Sequence, residues 1–342
     1  MSTPRNALLR IFDLRTHFPL GGTLGTMQAR NNVNRAVDGL RFDILRGETL
    51  GLVGESGCGK STAGRSVLML QRPTSGKVYF EGVELTALAN AQMRHMRQCM
   101  QMVFQDPFAS LNPRMDVAAL IAEPLAIHGI GRRGQRRQRV AELLDMVGLP
   151  AQAMSRYPHE FSGGQRQRVG IARALAVNPR FMVLDEAISA LDVSVQAQIV
   201  NLLGTLQREL DLTYLFIAHD LAVVHHISDR VAVMHRGRLV ELGEKDQLYR
   251  HPAHPYTRAL LAAAPIPDPR AERRRPPLAS VQPASAGNGD NSTGCCFRGS
   301  CPLASIRCHQ EQPDLFSVAA GHQVACFNGT AMHQRQDIVL GK

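Results

Sequence analysis

The sequence contains no run of about 18 uninterrupted apolar residues, the length that a helix needs to span a bilayer. Residues 1–10 lack the apolar stretch that forms the core of a secretory signal. Repeats of about 20–50 residues, which mark solenoid and propeller folds, are also absent. We therefore expect a protein that stays in the cytoplasm.

The composition supports a full hydrophobic core and suggests about two domains. The chain has 342 residues, of which 44% are hydrophobic, so we do not expect it to be disordered. Its formal net charge of +10 suits contact with nucleic acid or an anionic membrane, but also occurs in proteins that bind neither. Five of the seven cysteines lie between Cys295 and Cys326, and in the cytosol such a cluster favours metal binding over disulfides.

The stretch Gly54–Ser61 fits the phosphate-binding pattern G-x-x-x-x-G-K-S/T. An apolar run at 48–53 precedes it and a helical pattern at 61–70 follows, which is the strand–loop–helix context that the pattern requires. Glycine permits the positive φ angles that let successive backbone N–H groups converge on one anion. Lys60 would meet the β- and γ-phosphates, and the Ser61 hydroxyl would bind Mg²⁺. The predicted nucleotide residues of this loop are Gly54, Glu55, Ser56, Gly57, Cys58, Gly59, Lys60, Ser61 and Thr62.

Two further apolar strands end in polar residues that could act on a bound phosphate. Phe181–Leu184 runs into Asp185 and Glu186, and Tyr214–Ala218 runs into His219. A carboxylate at a strand end beside a phosphate loop can hold Mg²⁺ through water, and a second one can orient or deprotonate an attacking water. We assign the first role to Asp185 and the second to Glu186. Two exposed acids and a structural histidine are the alternatives.

A second glycine-rich helix start lies roughly 100 residues after the first. Within Phe161–Gln165, Ser162 precedes a helical pattern as a capping residue does, and Gly163 and Gly164 would expose N–H groups to an anion. Flexible turns have the same residues, so this motif alone is weak. Gln105 follows a further apolar strand.

Taken together, six motifs resemble those of the ATP-binding subunits of ATP-binding cassette (ABC) transporters, and the resemblance covers nearly the whole chain. In order they are Gly54–Ser61, Gln105, Phe161–Gln165, Phe181–Glu186, Ser189–Asp192 and His219. The resemblance implies an α/β fold: a P-loop NTPase of the ABC type, with a RecA-like core, an antiparallel β subdomain and a helical subdomain at about 108–172. It also implies ATP and Mg²⁺, with Ser61, Gln105 and Asp185 around the metal ion.

In the resembling family, two subunits share each nucleotide site. A signature motif on one subunit contacts the γ-phosphate held by the other, and a neighbouring loop crosses the dimer interface. The resemblance also makes Gln105 the residue that senses the membrane subunits. It implies Lys60, Glu186 and His219 as catalytic residues, and Ser162, Gly163, Gly164, Gln165 and Asp192 at the partner's ATP.

A narrower resemblance is to the dipeptide/oligopeptide permease subfamily, in particular to the F-type ATPase subunits of dipeptide permeases. It rests on Ser110–Arg114, His254–Leu260 and the C-terminal cysteines. It implies a second ATPase subunit of different sequence, two transmembrane permease subunits and, indirectly, an extracytoplasmic peptide-binding protein. It also implies a peripheral position on the cytoplasmic face of the inner membrane, and no nucleic-acid partner.

Three positions depart from the family pattern. Phe161 stands where many relatives have Leu, and Ala187 stands where Pro is usual; we expect little effect from either. No aromatic residue occupies 31–33, where many relatives stack one on adenine. Val33 and Phe18 are the remaining candidates for that contact.

We predict a nucleotide-binding domain at 7–250 and a C-terminal extension at 251–342. The extension would comprise a linker at about 265–294 and a cysteine segment at 295–326. The linker prediction rests on its richness in Arg, Pro, Ser, Ala and Gly.

Four thiolates can bind zinc or an iron–sulfur cluster, and this segment lacks the short C-x₂-C units of zinc ribbons. In the resembling permease subunits, cysteines at these spacings hold a 4Fe–4S cluster. Zinc and no metal remain open, as does Cys296 in place of Cys295. The implied cluster ligands are Cys295, Cys301, Cys308 and Cys326.

The predicted function is an ATPase that powers peptide import through a membrane ABC transporter. One alternative is a soluble ABC protein that acts on nucleic acid or ribosomes, which the net charge of +10 suggests. Another is a nucleotide-binding partner without catalysis, against which the intact Lys60, Asp185, Glu186 and His219 argue. Dipeptides, longer peptides, nickel and glutathione remain open as solutes.

Overall fold

The structure is a computed structural model that describes residues 6–19, 33–106, 110–263 and 294–334. The predicted linker at about 265–294 lies outside these residues, apart from Gly294. The strands are β1 (Ala7–Pro19), β2 (Val33–Leu45), β3 (Thr49–Val53), β4 (Ser75–Phe80), β5 (Val83–Glu84), β6 (Met100–Val103), β7 (Phe181–Asp185), β8 (Thr213–Ile217), β9 (Arg230–His235), β10 (Arg238–Glu244), β11 (Phe316–Ala319) and β12 (His322–Val324).

Helices occupy most of the chain between these strands. They are α1 (Lys60–Val67), α2 (Asn90–Cys99), α3 (Val117–Ile127), α4 (Arg133–Met146), α5 (Gly163–Leu175), α6 (Val193–Leu210), α7 (Leu221–Ile227), α8 (Lys245–Arg250), α9 (Pro255–Ala263), α10 (Ile306–Gln310) and α11 (Gly329–Gln334). Short 3₁₀ turns lie at Leu85–Ala87, Ala151–Ser155 and Pro158–Glu160.

The larger of two sheets has the strand order β11-β12-β10-β9-β3-β8-β7-β6. The five strands from β9 to β6 are parallel, and β10, β12 and β11 continue the sheet in antiparallel pairs. Strands β3, β7 and β8 are buried along their whole length, as expected for parallel strands covered on both faces. The carboxyl ends of these parallel strands therefore meet at one edge, where the predicted catalytic residues lie.

A smaller antiparallel sheet, in the order β2-β1-β4-β5, packs beside this core and forms the predicted β subdomain. Its apolar side chains share one buried cluster with α1 and one face of the large sheet. A second buried cluster, on the other face, includes the helices α3, α4 and α5. The predicted RecA-like core, β subdomain and helical subdomain are thus all present.

The helical subdomain begins with a well-formed cap. The carboxylate of Asp116 accepts the backbone N–H of Ala119 at 2.7 Å, which satisfies one of the free donors at the start of α3. The predicted lower boundary of the subdomain, at about 108, falls on residues 107–109, which are outside the described ranges.

The C-terminal segment that contains the cysteine cluster adds two strands to the larger sheet. Strand β12 pairs with β10 through Glu241 opposite Val324 and Leu242 opposite Gln323, and β11 pairs with β12. The division of the chain at residue 250 remains a prediction. Among the helices that the structure describes, none is long and apolar enough to cross a membrane.

Candidate functional site

The phosphate loop connects the buried strand β3 to helix α1. Gly59, which caps this helix, has φ +106°, and a Cβ there would lie 1.9 Å from the carbonyl oxygen of Ala36. At Gly54, with φ +155°, a Cβ would lie 2.2 Å from the carbonyl oxygen of Met234. Only glycine fits both positions, because β2 and β9 press the loop backbone from outside.

Lys60 is buried and bends back over its own loop. Its Nζ donates to the carbonyl oxygens of Gly54 at 2.8 Å and Glu55 at 2.9 Å. These two bonds hold the cation in place without a ligand. A bound triphosphate would offer charged oxygens in exchange for the two carbonyls, which are weaker acceptors for an ammonium group.

Two of the three residues predicted to hold Mg²⁺, Ser61 and Asp185, are in contact. Ser61 Oγ donates to Asp185 Oδ1 at 2.7 Å, and burial raises the pKa of the fully buried Asp185 carboxyl. The other oxygen, Oδ2, accepts no hydrogen bond from the described residues, and Arg65 Nη2 lies 3.9 Å from it. A hydroxyl beside a carboxylate with a vacant oxygen is a donor set that fits Mg²⁺.

Gln105, Glu186 and His219 converge on the same edge of the sheet. Gln105 Nε2 donates to Glu186 Oε2 at 2.7 Å, and His219 Nδ1 lies 4.0 Å from that oxygen. Glu186 has φ +46°, an uncommon backbone conformation for a residue with a side chain, and its N–H donates to the carbonyl of Ile217 at the end of β8. The structure therefore brings these three predicted site residues together at one edge of the sheet.

The predicted signature motif lies at the start of α5. Ser162 is the N-cap: its Oγ accepts the Gln165 N–H at 3.4 Å, while its own N–H donates to Gln165 Oε1 at 3.0 Å. A Cβ on Gly164 would lie 2.4 Å from Val195 Cγ1, and one on Gly163 would lie 3.2 Å from Leu191 Cδ2. The motif thus packs against the segment that contains Asp192.

The adenine candidates stand on paired strands. Phe18 pairs with Asn34, and Pro19 pairs with Val33, so both candidates lie where β1 pairs with β2. Asn31 and Asn32 lie outside the described residues. The adenine contact remains a prediction.

A groove follows Gln105 along the helical subdomain. Its cavity of about 240 Å³ is bounded by residues that include Gln101, Phe104, Ser110, Leu111 and Gln167. Arg173, on α5, spans the groove because it donates to the Ser110 carbonyl at 2.7 Å and to Glu123 Oε2 at 2.9 Å. The groove therefore connects the region after Gln105 to the helix that begins with the signature motif.

The four predicted cluster ligands line one cavity of about 10 Å³. That volume holds about one water molecule, so the thiols and their neighbours already fill the space. In the described part of the chain, no group of three or more His, Cys, Asp or Glu side chains is arranged to hold a metal ion. The geometry therefore gives the predicted cluster no direct support. The four residues are Cys295, Cys301, Cys308 and Cys326.

Cys295 and Cys296 differ in their surroundings. Cys295 lines the cavity with the other three cysteines, whereas Cys296 does not. The hydrogen bond between the two thiols lowers the pKa of Cys295 and raises that of Cys296. Burial raises the pKa of Cys326 to about 11. Of the two candidates for the first ligand, only Cys295 is placed among the others.

The comparisons with known proteins agree with this geometry. A family described as "ABC transporter" matches residues 37–189, and one described as "Oligopeptide/dipeptide transporter, C-terminal region" matches residues 240–308. The chain is 47% identical, over 94% of its length and 97% of the relative's, to the oligopeptide transport ATP-binding protein AppF of Bacillus subtilis.

Two solved structures support the fold. The chain superposes with a TM-score of 0.61 at 27% identity on cbiO1 from Clostridium perfringens, part of the ABC transporter complex cbiONQ, and covers 91% of that chain. It superposes equally well on the dimeric ATP-binding cassette MJ0796 bound to ADP and phosphate, with 98% of that chain covered. These alignments cover 72% and 69% of the present chain. The chain therefore belongs to the ABC transporter family and carries the C-terminal region found in its oligopeptide/dipeptide transporters.

Proposed function

We propose that the chain hydrolyses ATP at an interface with a second ATPase subunit and so powers the import of peptides. The convergence of the phosphate loop, Asp185, Glu186, Gln105 and His219 on one sheet edge supports the ATPase. The match of residues 240–308 to the oligopeptide/dipeptide transporter region supports peptides as the solute.

The chain's own residues divide the work on ATP. Lys60 exchanges the carbonyls of its loop for the β- and γ-phosphate oxygens. Ser61 and Asp185 would hold Mg²⁺ with Gln105, and the ion would neutralise charge on the phosphates. Glu186 would orient or deprotonate the attacking water. His219, whose Nδ1 lies 4.0 Å from Glu186 Oε2, would stabilise the γ-phosphate.

The site requires a second subunit to be complete. Ser162–Gln165 packs against the segment that contains Asp192 and would donate backbone N–H groups to the γ-phosphate of the partner. The dimeric ADP and phosphate complex of the similar cassette supports this arrangement. Because the subfamily resemblance indicates a sister chain of different sequence, we propose a heterodimer in which Asp192 lies at the shared interface.

The groove after Gln105 is the proposed docking surface for the two membrane permease subunits. It joins the Ser110–Arg114 region to α5, so a segment seated there would contact Phe104, which precedes Gln105, and the helix that bears the signature motif. Closure of the two ATPases would then pull on the permease subunits, and hydrolysis would release them. This places the chain as a peripheral subunit on the cytoplasmic face of the inner membrane.

Transport by the reconstituted complex tests the proposed function. We expect proteoliposomes that contain this chain, its sister ATPase, both permease subunits and the binding protein to accumulate peptide only with ATP and Mg²⁺. Peptide, nickel and glutathione are offered in turn. Accumulation of either of the other two solutes without peptide uptake would overturn peptides as the solute and leave the ATPase assignment intact.

The 4Fe–4S cluster remains a proposal that rests on the resemblance alone, with the four cysteines that line one cavity as its implied ligands. Anaerobically purified protein is expected to contain about four iron and four sulfide per chain. Cys308→Ser should lose most of the iron, whereas Cys99→Ser, a change of the same kind outside the cavity, should retain it. Colourless, iron-free protein with full ATPase activity would disprove the cluster.

A further inference from the structure

A residue of the C-terminal region holds the first turn of the phosphate loop. Tyr256 lies on α9 with 1% of its surface exposed, and its hydroxyl oxygen accepts the backbone N–H of Glu55 at 3.0 Å. The two residues are 201 positions apart in the sequence. Residues 37–189, which match the ABC transporter family, do not include Tyr256, whereas the C-terminal match at 240–308 does.

The peptide group that Tyr256 engages is the one on which Lys60 rests. That peptide group joins Gly54 to Glu55, and its carbonyl, on Gly54, accepts Lys60 Nζ at 2.8 Å. The carbonyl of the next peptide group, on Glu55, accepts Lys60 Nζ at 2.9 Å and the N–H of Cys58 at 3.3 Å. Lys60 must leave both carbonyls to meet a phosphate, while the turn itself must keep its shape. The Tyr256 hydroxyl supplies a contact to this turn that does not depend on where Lys60 points.

Tyr256 is itself firmly positioned. Its ring packs against His235 at a centroid distance of 4.3 Å and against Phe297 at 5.5 Å. Its N–H donates to Nδ1 of His254 at 3.0 Å, and the N–H of His254 donates in turn to the fully buried carboxylate of Glu241 on β10. Contacts with residues of β9 and β10 in the larger sheet therefore fix the position of the Tyr256 hydroxyl beside Glu55.

Phe297 connects Tyr256 to the cysteine cavity. It follows Cys296 in the sequence, is buried, and lines the cavity together with the four cysteines. Its ring also contacts those of His235 and His254 at 5.4 and 5.9 Å. A continuous line of packed groups thus runs from the cysteine cavity through Phe297 and Tyr256 to Glu55.

We propose that Tyr256 is a positioning residue for the phosphate loop and that Phe297 transmits the arrangement of the cysteine cavity to it. The inference needs only ATP binding at Gly54–Ser61 and does not depend on peptides being the transported solute. It gives the C-terminal region a direct influence on nucleotide affinity.

The first test removes the hydroxyl from the full-length chain. Tyr256→Phe is expected to raise the Kd for Mg·ATP about tenfold, because it leaves a loop N–H unsatisfied beside an intact ring. Tyr249→Phe is the matched control, since Tyr249 is also buried and donates its hydroxyl to the Leu221 carbonyl away from the loop. Titration calorimetry measures the Kd, and thermal unfolding without nucleotide measures stability.

A purely structural role would lower the melting temperature of both variants and leave both Kd values within about twofold of the parent. That result would overturn the proposal. In the assembled transporter, the positioning role predicts a raised KM for ATP in Tyr256→Phe with kcat little changed, because chemistry at Glu186 is untouched.

A double-mutant cycle tests the part played by Phe297. Phe297→Leu should raise the Kd about threefold in the parent and have almost no further effect in Tyr256→Phe, because both changes act through one hydrogen bond. Phe297→Met repeats the test with an unbranched side chain. Additive effects on the Kd would show that Phe297 does not act through Tyr256, and would overturn the proposed transmission.

Discussion

Replacing Glu186 with glutamine is expected to lower ATP turnover by about 10²–10⁴-fold while ATP binding is retained. The amide keeps the size of the side chain and can still contact Gln105, whose Nε2 lies 2.7 Å from Glu186 Oε2 in the parent. It cannot take a proton from water. Since Lys60, Ser61 and Asp185 are unchanged, the phosphates and Mg²⁺ remain held, and the subunits stay closed around ATP.

Size-exclusion chromatography with Mg·ATP measures that closed state. The Glu186→Gln chain, mixed with its partner subunit, should elute as a stable dimer with ATP, whereas the parent should return to monomers as hydrolysis proceeds. Glu209→Gln, the same change at an exposed position of α6, should behave as the parent. Undiminished turnover in Glu186→Gln would refute the role assigned to Glu186.

Placing a charge at Ser162 should separate ATP binding from hydrolysis. Aspartate is as good an N-cap as serine, so Ser162→Asp preserves the start of α5. Its carboxylate would face the γ-phosphate of the partner subunit, and repulsion between two such charges at close range costs several kcal/mol in a partly buried site. We expect hydrolysis by the assembled dimer to fall at least about a hundredfold.

Ser162→Asn is the matched control, because asparagine also caps helices but carries no charge. Its activity should fall by less than about tenfold. In the isolated chain, both variants should bind ATP with the affinity of the parent, since the chain's own phosphate loop holds this ATP and its signature motif would contact only the ATP of the partner. Normal hydrolysis by Ser162→Asp would exclude the signature motif from the partner's site.

The edge that bears the catalytic residues was predictable because parallel strands align their carboxyl ends. Asp185 and Ile217 are paired partners on β7 and β8, so Glu186 and His219, which follow these strands, must lie close together. The buried strands were visible as continuous apolar runs. The hydrogen bond of Gln105 to Glu186 could not be read from the sequence, because it depends on how a loop turns back after β6.

Helix α5 begins with two glycines, which local propensity disfavours inside helices. Ser162, the capping residue predicted from the sequence, is the N-cap of this helix. The helix can begin at Gly163 because Ser162 and Gln165 satisfy each other's backbone N–H groups and because close packing of Gly164 on Val195 needs a residue without a Cβ. Tertiary packing outweighed propensity there.

The most distant contacts could not be predicted at all. Local periodicity does not predict that Tyr256 contacts Glu55 or that β12 pairs with β10, because the paired residues lie dozens to hundreds of positions apart in the sequence. The cysteine spacing pointed to four thiols in one place, and they do line one cavity. The spacing of the cysteines in the sequence did not predict the volume of the cavity between the four thiols.

Because β12 pairs with β10, the C-terminal region covers a strand that would otherwise form an edge of the larger sheet. Strand β10 is buried from Leu239 to Gly243, and apart from Glu241 these residues are apolar. A chain cut after α9 would leave its outer edge without a strand partner, and an apolar edge strand readily recruits another chain. Shortened forms of this ATPase would then be prone to self-association, so their loss of activity would say little about catalysis.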